Sequence, residues 1–398
     1  RILGLGDLGT NGMGIPIGKT DLYVVGGGFD PRRTLPVCLD VGTNRPELLE
    51  DKFYLGSKQS RLKGEKHMEV IEEFCLAVQD KWPSCVIQFE DFQTEPAFAI
   101  LRKMRNRFVC FNDDIQGTGG VILAGLINGM KVQQTDLKDA RVLFFGAGSA
   151  ACGVADALAA FLISEGLSDE DARKGIYMID RKGLITDIRP EIETYPDCKK
   201  RYCRNDNTPN LKSLIDIIEY VKPHALLGLS GAGPSFGQAI IEKVCEYQLR
   251  PLIFALSNPT CKAEITAKKA YEFSKGRCIF AAGSPFLPVD YNGKTFRSGQ
   301  GNNVFVFPGV GFGSSIIKAS TIPDEFFVEA AKVLSKCVND REIAQGKIYP
   351  SLENLQDISA RIAVKVAETA YEMGVATLKK PVDLDKYVRD RMYYPNYD

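Results

Sequence analysis

Two acidic pairs stand where apolar stretches run out. Glu90-Asp91 follows Val86-Ile87-Gln88-Phe89, and Asp113-Asp114 comes just after Phe108-Val109-Cys110-Phe111. Successive strand residues point to opposite faces, so each pair can aim together only where its strand is ending. Hard carboxylate oxygens suit Mg2+ or Mn2+. Zinc is disfavoured, because only His67 and His224 are there to help cysteines that form no CxxC pair. One acidic pair alone reads as solvated strand-end acids. Two such pairs, the second running into Gln116-Gly117-Thr118, read as a metal site.

Lys19 closes the glycine-rich stretch Gly12–Gly18. Desolvation in a partly apolar pocket lowers a lysine's pKa and lets it serve as a base. On pattern alone, a surface lysine after a loop is the commoner reading. Asn258 follows Phe254-Ala255-Leu256-Ser257, and Asn302-Asn303 follows Gly299-Gln300-Gly301. Such neutral donors and acceptors suit a substrate carboxylate or a nicotinamide ribose, and they also suit plain turns.

A dinucleotide signal lies between these groups. Val142-Leu143-Phe144-Phe145 reads as a buried strand and leads into Gly146-Ala147-Gly148-Ser149-Ala150-Ala151, which opens an alanine-rich helix. Gly146 permits the turn, Gly148 lets backbone approach a pyrophosphate, and a small Ala151 lets helix and strand pack closely. The helix N-terminus, through Ser149 and Ala150, then faces the phosphates. The next strand ends at Asp180, placed to accept from ribose hydroxyls as in NAD binding. Arg181 and Lys182 follow, and cations there suit the 2′-phosphate of NADP or an ordinary solvated turn. The pair tips the reading slightly toward NADP. An earlier match, Gly4-Leu5-Gly6-Asp7-Leu8-Gly9, lacks a clean helix behind it and reads as a tight turn.

The elements that must position these groups follow from the apolar pattern. Strand-like runs at Arg141–Gly146, Gly175–Asp180, Ala225–Leu229, Leu252–Ser257 and Cys278–Ala282 alternate with helical stretches such as Ala151–Glu165 and Gly237–Tyr247. That rhythm predicts an α/β fold, a Rossmann-like doubly wound parallel sheet. Before it, Pro36–Val41 and Cys85–Phe89 are strand candidates and Glu65–Lys81 an amphipathic helix. After it, Asp324–Asp340 and Ile358–Met373 read as helices. The expected layout is a substrate and metal α/β domain over 1–112 plus 303–375. A Rossmann domain over 113–302 is inserted into it, and 376–398 forms a C-terminal tail.

The 398 residues suffice for two or three cores. Lys plus Arg equals Asp plus Glu at 50 each, so no net field recruits nucleic acid or an anionic membrane. No apolar run reaches the roughly 18–20 residues of a spanning helix. The 11 scattered cysteines, among them Cys75, Cys85, Cys110 and Cys245, read as reduced thiols. The chain opens at Arg1 inside a glycine-rich turn and is expected to lack an N-terminal segment. Any targeting peptide would lie upstream of it. The expected compartment is the cytoplasm or the mitochondrial matrix.

Five blocks together resemble the malic enzyme family: Arg1–Lys19 (RILGLGDLGTNGMGIPIGK), Gln88–Phe92 (QFEDF), Phe111–Thr118 (FNDDIQGT), Phe254–Thr260 (FALSNPT) and Gly299–Asn303 (GQGNN). They keep the family's order and span nearly the whole chain. The resemblance implies oxidative decarboxylation of L-malate to pyruvate and CO2 with NAD or NADP and Mn2+ or Mg2+. It implies Glu90, Asp91 and Asp114 as metal ligands, Lys19 as general base and Asp113 as its acidic neighbour. It further implies Arg1 as a clamp on a malate carboxylate and Asn258 and Asn303 as the rest of the substrate pocket. A homodimer or homotetramer is the implied assembly. The family's final proton comes from a tyrosine upstream of the arginine motif, and none of the 15 tyrosines here sits in a matching motif. The rival readings are another two-domain NAD(P) dehydrogenase, which has no use for the acidic pairs, and a silent dinucleotide sensor, which has no use for a metal.

Overall fold

The computed structural model describes residues 6–395. Arg1, Gly4 and Leu5 of the first glycine motif, and Asn396, Tyr397 and Asp398 of the terminal stretch lie outside the described residues. The chain divides into two compact units. The first comprises Arg1–Gly117, Val304–Val333 and Ser351–Asp398, and the second comprises Thr118–Asn303 with Leu334–Pro350.

The first unit is built around two short parallel strands, β1 (Ile87–Phe89) and β2 (Cys110–Asn112), paired Ile87 to Cys110, Gln88 to Phe111 and Phe89 to Asn112. Helix Thr94–Met104 joins them and buries Ala97, Ile100, Leu101 and Met104, an i, i+3, i+4, i+7 stripe. Ile100 and Met104 pack with Ile71 and Cys75 of helix Gly64–Lys81 on Phe89, Phe108 and Cys110, while Ala97 and Leu101 pack with Ile115. The apolar faces therefore fix where the two strands end.

Three expectations fail in this unit. Pro36–Val41 is irregular. Pro36 has no N–H to give a ladder, and the segment is held instead by Asp40, which accepts from Gly42 N (3.2 Å) and Ser57 N (2.6 Å). The glycine-rich stretch is not a loop: Gly9–Met13 is a 3-10 turn running into helix Gly14–Val25, and Lys19 lies mid-helix. Each glycine costs a helix about 1 kcal/mol relative to alanine. Tertiary contact offsets this, because the Tyr23 ring sits edge-on to Phe29 and Phe307, 5.0 Å from each. Nor are residues 376–395 a free tail, since helix Leu384–Arg389 buries Val388, which packs with Met392, Phe312 and Ala360.

The second unit carries a seven-stranded sheet. Its strands are β3 (Val142–Phe145), β4 (Ile176–Asp180), β5 (Gly183–Leu184), β6 (Ala225–Gly228), β7 (Leu252–Ala255), β8 (Ile279–Ala282) and, after the hairpin β9 (Val289–Tyr291) and β10 (Lys294–Phe296), β11 (Gly299–Gln300). The order is β11-β8-β7-β6-β3-β4-β5, and only β5 runs antiparallel. The expected parallel α/β sheet is present. Its order reverses between β3 and β6, and ligands of such sheets bind outside the strand carboxyl ends at that reversal.

Residues 113–117 stay with the first unit and 334–350 pass to the second, shifting both expected boundaries. The later shift has a visible cause. The Asn128 amide donates to the carbonyls of Ser335 (3.0 Å) and Ile348 (3.1 Å), and Tyr349 OH donates to Val121 O (3.0 Å). No helix among the described residues is long and apolar enough to cross a membrane.

Candidate functional site

Because β1 and β2 are parallel and in register, Glu90-Asp91 and Asp113-Asp114 leave the pair at the same end. Asp91 adopts φ +61, a left-handed turn that few side chains accept. This turn breaks the strand alternation, and the Asp91 N–H donates to Asp114 Oδ2 at 2.7 Å. Asp113 and Asp114 open a single π-helical turn, Asp113–Gly117, and both are buried. The two acidic pairs thus meet.

Lys19 reaches into them from helix Gly14–Val25. Its Nζ lies 3.1 Å from Glu90 Oε1, makes a close ion pair with Asp113 Oδ2, and stands 4.4 Å from the Phe307 ring centroid. One turn further along the helix, Tyr23 OH donates to Gln88 Oε1 at 2.5 Å, and Gln88 Nε2 donates to Glu90 Oε2 at 2.8 Å. Tyr23, Gln88, Glu90, Lys19 and Asp113 form one hydrogen-bonded chain. It borders a cavity of about 1390 Å3 within the first unit, lined in part by Lys19, Tyr23, Glu90 and Asp91.

The electrostatics reverse one expectation. Burial does push the Lys19 ammonium down, but the carboxylates of Asp113 and Glu90 more than offset it, and the net displacement is upward. Burial and the nearby Glu90 push Asp113 up to about 7 in spite of Lys19. Asp114 is held well above the ordinary carboxyl range by burial, then by Glu90 and Asp91. Tyr23 is also raised, by burial and then by Asp113 and Glu90.

Glu90, Asp113 and Asp114 act on one ammonium and Asp91 acts on Asp114, all with hard oxygens, and their mutual repulsion is what a divalent cation relieves. In donor chemistry the cluster fits Mg2+ or Mn2+. As they stand, Glu90 and Asp113 serve Lys19, and Asp114 serves the Asp91 N–H. Among the described residues no three Asp, Glu, His or Cys side chains already form a ligand set.

In the second unit, Gly146 makes the tight turn after β3 with φ +130, and an added Cβ would lie 2.5 Å from Leu229 O beyond β6. Gly148 then caps helix Ser149–Ser164, which buries Ser149 and Ala151. Asp180 ends β4, but its carboxylate is already engaged. Arg189 Nη2 donates to Oδ1 at 2.8 Å, Lys199 pairs closely with Oδ2, and Lys182 N donates to Oδ1 at 2.8 Å. Burial alone would raise this acid; Arg189 and Lys199 bring it below its usual range. Arg181 and Lys182 form the exposed two-residue turn of the β4–β5 hairpin, and Lys182 Nζ lies 3.1 Å from Glu191. On the other flank, Asn258 Oδ1 accepts from Ser284 Oγ at 2.6 Å, and Asn302 Nδ2 reaches Gly283 O at 3.5 Å. The ends of β7, β8 and β11 are so laced together. Asn303 begins the 3-10 turn Asn303–Phe305.

Sequence pattern alone misses several of these residues. Tyr23 becomes visible only once Gly14–Val25 is recognised as a helix, which puts positions 19 and 23 on one face. Gln88 shares a strand face with Glu90. Arg189 and Lys199 come from segments outside the sheet, and nothing local marks them.

Family models match across most of the chain: "Malic enzyme, N-terminal domain" over residues 1–105 and "Malic enzyme, NAD binding domain" over 115–371. The chain is 50% identical over its whole length to an NADP-dependent malic enzyme of Dictyostelium discoideum, covering 73% of that protein. It is 43% identical to the human NADP-dependent malic enzyme, covering 69% of it. It is 44% identical to a chloroplastic NADP-dependent malic enzyme of Arabidopsis thaliana, covering 61% of it. Among solved structures it is similar to the Entamoeba histolytica malic enzyme, with TM-score 0.76 and 26% identity over 98% of this chain and 71% of that one.

The charge balance at Lys19 leads to a direct expectation. In metal-free protein, Asp113→Asn removes the nearest anion, so the Lys19 ammonium titrates at lower pH than in the unsubstituted protein. Lysine side-chain NMR reads this shift, and an unmoved Lys19 resonance contradicts the charge balance.

Proposed function

The chain belongs to the malic enzyme family, and from that premise we propose that it converts L-malate and NADP+ to pyruvate, CO2 and NADPH. The observation that carries the proposal is Lys19 held between Asp113 and Glu90 where two acidic strand ends meet. When bound, the nucleotide would supply a hydride acceptor and a divalent cation a Lewis acid.

The rest falls to the chain's own groups. Glu90, Asp91 and Asp114 are the residues that would hold Mn2+ or Mg2+. Lys19, in its amine form, takes the C2 hydroxyl proton, and Asp113 keeps Nζ aimed while that proton moves. The anions that orient Lys19 also retain its proton, so any cation that draws on Glu90 loosens that hold. Tyr23 fixes Glu90 through Gln88, and Phe307 covers Nζ with a ring face. Arg1, from outside the described residues, belongs in the proposal as the clamp on a malate carboxylate. In the second unit, Asn258 and Asn303 are the residues proposed to bind substrate, and Asn258 and Asn302 those proposed to hold the nicotinamide ribose.

The preference for NADP+ over NAD+ is supported by the state of Asp180. With Arg189 and Lys199 on its carboxylate, Asp180 has little capacity left for ribose hydroxyls. Arg181, Lys182 and Lys199 then outweigh it in favour of a 2′-phosphate. A homodimer or homotetramer, acting in the cytoplasm or the mitochondrial matrix, belongs to the same proposal.

Following reduced-nicotinamide absorbance tests the reading. Malate turnover is expected only with Mn2+ or Mg2+ and is lost on chelation. Asp114→Asn is expected to lower kcat by about a hundredfold or more, the scale of losing a charge-stabilising group. Turnover that survives chelation rejects the metal assignment, and full-length, folded protein that binds NADP+ without any turnover rejects the enzyme in favour of a sensor. Lys199→Ala takes the ammonium off Asp180 Oδ2 while Arg189 stays on Oδ1, and kcat/KM is expected to fall about tenfold for NADP+, one charge-assisted contact, while that for NAD+ holds or rises. Equal losses with both nucleotides remove Lys199 from the choice between them.

A further inference from the structure

Glu264 is a buried acid of the second unit, 0% exposed, and its carboxylate accepts hydrogen bonds from loops at the carboxyl edge of the sheet. Oε1 accepts from Ser257 Oγ at 2.5 Å and from Ser230 N at 3.2 Å, and Oε2 accepts from Ser257 N at 3.4 Å. Ser230 Oγ also lies 3.4 Å from Oε1. The main-chain carbonyl of Glu264 accepts from Ser235 N (2.8 Å) and Phe236 N (3.0 Å). The loop after β6 is therefore held at both ends by one residue. Ser257, which starts the loop after β7 and precedes Asn258, is held by the same carboxylate.

The direction of these bonds is fixed. Ser257 Oγ accepts from Gly231 N at 2.9 Å and donates its one proton to the Glu264 carboxylate, which can only accept. Backbone N–H groups cannot turn round to accept. The site has also been cleared for this acid, because a Cβ on Gly228 would lie 2.4 Å from Glu264 Cδ. A buried carboxyl costs stability unless its hydrogen bonds return it, and an apolar residue would fill the same space more cheaply. What an apolar residue lacks is three acceptor directions toward two loops.

These loops border the sheet's reversal point. The turn at Gly146 packs against Leu229 O at the start of the β6 loop, and that crevice is where a dinucleotide lies in such sheets. We propose that Glu264 is a positioning residue for the dinucleotide site, holding the loops after β6 and β7 in the shape that the nucleotide and Asn258 require. The inference rests on the nucleotide binding proposed above.

Glu264→Gln keeps the volume but sets an amide N–H2 against one of three committed donors. The Kd for NADP+ by calorimetry and its KM are expected to rise about tenfold, the scale of one lost charged hydrogen bond, with kcat at saturating nucleotide little changed. Glu264→Asp, which keeps the acceptors but is one methylene short, recovers part of the loss. Ser257→Ala raises Kd less and adds nothing to Glu264→Gln; it also decides the matter alone should Glu264→Gln not fold. A carboxylate with only a structural role would lower the melting temperature and the active fraction while leaving Kd unchanged, and that result overturns the inference. So does additivity of the two substitutions. Unsubstituted protein that binds no NADP+ removes the proposed function together with this inference. Equal binding by unsubstituted and Glu264→Gln protein removes the inference alone.

Discussion

The first unit is organised around a charge problem: carboxyl groups from two strand ends are brought together out of water with one ammonium between them. Burying such groups costs several kcal/mol each unless pairing and hydrogen bonds return it. The structure supplies this partly through Lys19 and partly through the Asp91 N–H at Asp114. The remainder appears as raised pKa values for Asp113 and Asp114, which mark a cluster short of positive charge. A site in that condition favours cations, and that is the property a metal-assisted decarboxylation needs.

The local architecture follows from keeping this cluster in place. The parallel pairing of β1 and β2 puts both acidic pairs at one end, and helix Thr94–Met104 ties the strands together through its buried stripe. Helix Gly14–Val25 is poor in helix propensity but delivers Lys19 and Tyr23 on one face. In the second unit the same logic runs in the opposite sense. Asp180 has its charge met by cations from within the protein, whereas Glu264, which burial raises above the usual carboxyl range, is held by neutral donors. Both acids position the loops around them.

Much of this is legible in the sequence, for physical reasons. The sheet strands are continuous apolar runs, as expected of parallel strands buried on both faces, and Gly146 to Ala151 requires its residue types at each position. Both acidic pairs can be placed because they end apolar runs. The departures are of two kinds. At Pro36–Val41 and Gly12–Gly18 tertiary contacts outweigh local propensity, through Asp40 in one case and Tyr23 in the other. The direction of the Lys19 shift, the occupation of Asp180 and the setting of Glu264 depend on residues far apart in sequence, and no spacing rule encodes them.

Lys19, as the proposed base that the acidic cluster holds in position, is tested most directly by Lys19→Ala with added small amines. Malate oxidation is expected to fall by about 10^3-fold or more, the scale of losing a positioned general base, while KM for malate changes little. Added amines are expected to restore part of the rate in proportion to their basicity. A Lys19→Ala protein that oxidises malate at nearly the original rate, or that responds to amines no more than the unsubstituted protein does, would contradict that role.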